Sequence, residues 1–71
     1  MSELDAASGL LDAAHRSLSL CWEATRAGWN DAARWEFERD YWQPLDERTR
    51  AVLDQMNALA EAIGRARANV E

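Results

Sequence analysis

At 71 residues and a formal charge of −5, with 13 acids against 8 bases, the chain has room for one domain (1–71) and repels phosphate backbones and anionic lipid. A single cysteine excludes a disulfide framework, and no zinc spacing, Gly-rich phosphate loop or nucleophile elbow is present, so no cofactor, metal or small-molecule substrate is expected. A chain of this size folding alone buries only roughly 60 % of its unfolded surface, which leaves oligomerisation as the remaining source of stability.

Ser2 is suited to cap a first helix, with Asp5 near its positive end. Apolar positions then follow at steps of three and four: Leu4, Ala7, Leu11, Ala14, Leu18, Cys21 and Thr25. This is a heptad seam on one helix face, widened by Leu10 and Trp22. The spacing predicts a helix over about 3–27. Asp12 and Arg16 form a favourable i,i+4 pair on its flank.

Gly28-Trp29-Asn30-Asp31 interrupts the seam and reads as the turn between two antiparallel helices. Gly28 is expected to end the first helix in the left-handed conformation, and Asn30 to cap the second with Asp31 in its first turn. Trp29 is expected to lock the turn.

The second helix is expected over about 31–70. It opens with an aromatic strip in which Trp29, Ala33, Phe37, Tyr41 and Leu45 recur at i+4, with Trp35 and Trp42 beside it. Pro44 lacks the amide that would bond Asp40 and disfavours helix at Gln43, so a kink or break is expected near residues 40–44. A second seam follows: Leu45, Thr49, Val52, Met56, Leu59, Ile63, Ala66 and Val70, broadened by Leu53 and Ala60. No segment alternates at period two, so no strand is expected.

The chemistry-bearing residues read as structure. Asp12 and His15 lie three apart on one helix face, but a metal site in a helical bundle needs several such contributions and the chain has one histidine. A solvated face is the expectation for both. Cys21 sits mid-helix without a base beside it and is expected to be a small buried seam residue. The acids Glu36, Glu38, Asp40, Asp46 and Glu47 interleave with Arg34, Arg39, Arg48 and Arg50, which reads as a mixed, solvated surface and not as an acid–base pair in a cleft. No catalytic activity is expected.

Four tryptophans, Trp22, Trp29, Trp35 and Trp42, stand six or seven residues apart. Core packing and a partner-binding anchor are equally open readings, because in an obligate assembly the two merge.

Two seam-bearing helices joined at Trp29-Asn30-Asp31, then Ala33, Phe37, Tyr41-Trp42 and Pro44-Leu45, resemble the WXG family, the small helical hairpins of bacterial type VII secretion systems. The resemblance implies an antiparallel hairpin that pairs into a four-helix dimer and is exported or serves as a partner module. Asp31 stands where the family has glycine, and Tyr41 is followed four residues on by Leu45 where the family's export signal has an acid. The alanine-rich, lysine-free composition fits a bacterial genome rich in G and C.

The expected architecture is therefore all-α: an antiparallel helical hairpin assembling into a four-helix bundle dimer. Its function is that of a non-catalytic interaction protein pairing with itself or a similar hairpin, without nucleic acid or membrane. The expected interface residues are Leu11, Leu18, Trp22, Trp35, Phe37, Tyr41, Trp42, Val52, Met56, Leu59 and Ile63. The alternative is a cytoplasmic adaptor or antitoxin-like inhibitor that occupies a basic partner. Glu3 and Asp5 fall where a signal peptide would be apolar, so a cytoplasmic location is expected; the resemblance adds signal-independent export.

Overall fold

The computed structural model of the chain describes the backbone of residues 3–70 and the side chains of residues 3–69. The Ser2 cap and the place of Val70 on the seam lie outside them. The described residues are all-helical, with no strand. Helix α1 spans Glu3–Ala27, α2 Ala32–Phe37 and α3 Gln43–Val70, and a π-helical turn at Glu38–Trp42 joins α2 to α3. The chain thus makes one helix, a short turn, and a second, longer helix with an insertion in it. His15 meets Asp46, Trp22 meets Trp42, and Arg26 meets Glu38, so the two helices run in opposite directions in a hairpin-like arrangement.

The turn differs from expectation in two details. No described glycine has a positive φ, so Gly28 does not end α1 in the left-handed region. Instead the amides of Gly28 and Trp29 donate to the carbonyls of Thr25 and Arg26, each at 3.2 Å, tightening the last turn with three-residue bonds. The cap of the second helix is Asp31, one residue later than expected. Its backbone is extended (φ −143°, ψ −179°) and its carboxylate accepts from the Arg34 amide at 3.2 Å. A carboxylate here satisfies a free amide and faces the positive helix end.

Pro44 does not break the helix. The perturbation takes the form of the π turn immediately before it, where the Gln43 amide donates to the Glu38 carbonyl five residues back. One extra residue in the turn accommodates a proline that an α-helical interior would reject at about 3 kcal/mol.

The pair of helices forms a flat slab of 59 × 18 × 10 Å. Its radius of gyration is 16.9 Å, where a compact chain of this length has about 11 Å. The surface is correspondingly large: 5677 Å² against roughly 4,450 Å² for a compact 8.0 kDa protein. Stable domains close a core between two layers, and this slab is one layer thick. No helix of the described residues is long and apolar enough to cross a membrane.

Candidate interaction surface

Trp22 is the one buried apolar side chain among the described residues, at 6 % exposure. Phe37 and Trp42 cover it, with ring centroids 5.3 and 5.9 Å away. The π turn makes this possible. Five residues of plain α-helix rotate through about 500°, which would set Phe37 and Trp42 about 140° apart. The five-residue bond brings both to the same side, where they hold Trp22 between them. Trp29 packs on Phe37 at 5.9 Å and fastens the turn to the cluster, and Tyr41 extends it at 5.4 Å. Trp35 stands apart, 63 % exposed, with the Arg34 guanidinium 4.7 Å from its ring centre.

Beyond the aromatic end the seam between the helices is partly polar. His15 Nε2 lies 2.7 Å from Asp46 Oδ1, and Arg50 Nε reaches the other Asp46 oxygen at 3.2 Å. The His15 ring lies parallel to Trp42. Partial burial pushes the Asp46 carboxyl up, but the hydrogen bonds from His15 and Arg50 outweigh it and hold the group below the usual aspartate value. His15 and Asp46 are thus structural partners, not the solvated groups the sequence suggested. The residues sit 31 apart, and only the choice of a cation-capable ring opposite an acid hinted at it. Glu38 also faces inward, 3.6 Å from Arg26 of α1. Arg34, expected on the solvated surface, is buried, and its Nε has no hydrogen-bond partner.

Only part of each expected seam lies between the helices: Leu4 and Leu11 of the first, Thr49 and Met56 of the second. On α1 the inward side chains are Leu4, Leu11, His15, Ser19, Trp22 and Arg26, while Ala7, Ala14, Leu18, Cys21 and Thr25 are exposed. Cys21 is therefore an open surface thiol and not a buried residue. On α3 the inward set is Asp46, Thr49, Leu53, Met56 and Ala60, and the stripe Leu45, Val52, Leu59, Ile63 is open beside it. Each helix carries an apolar arc wider than one neighbour can cover, and the second helix takes only its edge.

The uncovered halves of both arcs share one side of the slab. At its aromatic end they line an open groove of about 330 Å³ between Leu18, Cys21 and Thr25 on one wall and Phe37, Tyr41 and Leu45 on the other, with no charged residue in it. The charges lie elsewhere. Between Leu4 and Ala27 every charged residue of α1, namely Asp5, Asp12, Arg16, Glu23 and Arg26, falls within an arc of about 80° on the other side. On α3, Glu47, Arg50, Asp54, Glu61 and Arg65 share an arc of about 60° opposite the open stripe, while Arg48 and Arg67 stand at the two edges of the stripe. One face of the slab is thus mainly apolar, with Arg48 and Arg67 at its edge, and the other mainly charged, with Leu20 exposed among the charges.

Of the residues expected at an interface, Leu18, Phe37, Tyr41, Val52, Leu59 and Ile63 lie on the open face. Trp22 is internal; Leu11, Trp42 and Met56 are half-buried. No group of three or more histidine, cysteine or acidic residues among those described is arranged to hold a metal ion. No family model, curated protein or solved structure matches this chain.

Proposed function

We propose that the protein is a non-catalytic pairing module: its apolar face docks on a second helical hairpin, and the two complete a four-helix bundle. The observation that carries this reading is the separation of faces. An apolar surface built from both helices, with an uncharged groove at one end and arginines only along its edge, is what a domain interior looks like before it is closed. Excess exposure points the same way, since roughly 1,200 Å² more surface than a compact chain of this mass carries is a deficit that pairing would remove. Closed two-fold dimers are the commonest way to cover such a face, and four antiparallel helices form a standard bundle. The resemblance of the Trp29 turn and the flanking seams to WXG hairpins agrees with this role, and a part in type VII secretion is its extension.

Pairing coupled to folding has a direct signature. The melting temperature rises with protein concentration, and the mass by light scattering is a multiple of 8.0 kDa. A monomer at micromolar concentration whose melting temperature is independent of concentration would remove this reading.

A further inference from the structure

The outer side of α1, away from α3 and apart from the open face, carries a seam of its own. Ala6, Leu10, Ala13, Ser17, Leu20 and Ala24 follow at steps of four and three, and all six are exposed. They centre about 180° from the inward set Leu4, Leu11, His15 and Trp22. Leu10 at 74 % and Leu20 at 73 % are the most exposed large apolar side chains among the described residues. Leu20, at the charged edge of the seam, also borders Arg16 and Glu23. The outer side of α3 is the contrast, because Glu47, Arg50, Asp54, Glu61 and Arg65 occupy it. A helix side that meets only water carries charges of that kind, and a helix uncharged on several sides is one with several neighbours. Gly9, beside the seam, weakens a helix, and a Cβ there would meet nothing within 4 Å in its own chain.

The seam is palindromic about residue 15: Ala6 answers to Ala24, Leu10 to Leu20, and Ala13 to Ser17. An antiparallel two-fold pair makes this demand, because it sets each residue beside its mirror position. A parallel pair sets every residue beside itself whatever the order, so it makes no such demand.

We infer that α1 packs by this outer seam against α1 of a second copy, antiparallel, with the two-fold axis beside residue 15. The contact is distinct from the open face and adds to whatever closes that face. Its layers read Ala–Ala, Leu–Leu, Ala–Ser, Ser–Ala, Leu–Leu and Ala–Ala over about 27 Å. Leucine fills two layers, and small side chains in the others let the helices approach to about 8 Å. The interface is self-complementary, as a closed two-fold contact must be, and the two helix dipoles oppose each other. Along the charged flank Asp12 and Arg16, an ion pair in each copy, interleave as acid, base, base, acid, which gives two attractions between copies against one repulsion. Glu23 comes level with Asp5 of the mate, and Arg26, 3.6 Å from Glu23, offsets the two acids. The axis keeps both open faces on one side. Four helices then form one continuous layer whose apolar side is twice as wide, ready to be closed by a second layer.

Ser17→Glu sets a charge near the axis, at an exposed position opposite α3, and leaves the two-helix packing in place. Light scattering is expected to give the native chain twice the mass of Ser17→Glu, with the helical circular dichroism of the two alike. Equal masses overturn the inference, and equal masses above 8.0 kDa do so while leaving pairing through the open face intact. A native chain of single-chain mass overturns both. Orientation is read with Ala13→Cys and Ser17→Cys, each combined with Cys21→Ser. Mild oxidation is expected to give a covalent dimer on mixing the two variants, with peptide mapping joining position 13 of one chain to position 17 of the other. A crosslink formed by Ala13→Cys alone marks parallel helices and overturns the arrangement, as does a mixture that stays uncrosslinked.

Discussion

His15 Nε2 lies 2.7 Å from Asp46 Oδ1 and ties the two long helices together beyond the aromatic cluster. The Asp46 carboxyl is held below its usual value, so its charged form is favoured by folding. That contribution is complete above the ordinary aspartate value of about 3.9 and is lost as pH falls through the lower folded-state value. Asp46→Asn is therefore expected to flatten the acid limb of the stability curve below about pH 4. At neutral pH it should cost about 1.5–3 kcal/mol, the range for hydrogen bonds to a charged group. Urea titrations from pH 2 to 7 decide it: an acid limb identical to that of the native chain means that the pair does not form.

The π turn predicts a tolerance that an irregular break would not. With Arg39 deleted, Phe37 and Trp42 become i,i+4 neighbours on a plain α-helix and keep their common side. Arg39 is exposed and bonds only its neighbour Asp40, so little else is lost. The deletion combined with Pro44→Ala, which permits the α-helix, is expected to change stability by less than about 1 kcal/mol relative to Pro44→Ala alone. Near-ultraviolet circular dichroism of the tryptophans should be retained. Its disappearance would mean that the turn does more than keep register.

The helices were legible because their signals are local. Steps of three and four from Leu4 to Thr25 and from Leu45 onward are a property of each helix by itself, and they place α1 at Glu3–Ala27 without reference to the rest of the chain. Pro44 likewise announces a disturbance. Its form was not legible, because an α-helix with a kink and a π turn satisfy Pro44 equally well. The choice falls to Trp22, which lies in the other helix and is covered only if Phe37 and Trp42 share a side. The same limit applies to the seams. Periodicity finds the middle of an apolar arc, whereas here the middle is left open and the neighbouring helix sits on its edge, among His15, Ser19 and Asp46. A wide arc signals two neighbours, and the sequence carries no mark of which neighbour is in the same chain.

Trp22 and Trp35 test how the tryptophans divide. Trp22→Ala removes the one buried apolar side chain described in the molecule and should cost about 3–5 kcal/mol, enough to unfold a chain with so little core. Trp35→Ala, at an exposed site stacked only on Arg34, is expected to change stability by less than about 1 kcal/mol. Equal effects in chemical denaturation would mean that Trp35 is covered in the assembly and belongs to the interface.

Val52 isolates pairing from folding. Met56 is half-buried between the helices, so a charge there disturbs the single chain as well as any assembly. Val52 is 43 % exposed on the open stripe, outside the inward set of α3. In a lone chain Val52→Asp should be nearly neutral, because a carboxylate in water on a helix surface costs well under about 1 kcal/mol. In an assembly closed through the open face its carboxylate would be desolvated. A buried, unpaired charge costs several kcal/mol. The expected result is dissociation: the mass falls to that of one chain, and helicity falls with it, since the single slab has too small a core to hold alone. Sedimentation of Val52→Asp beside Val52→Ala reads the outcome. An assembly that is unchanged by the charge places its contact surface away from this stripe.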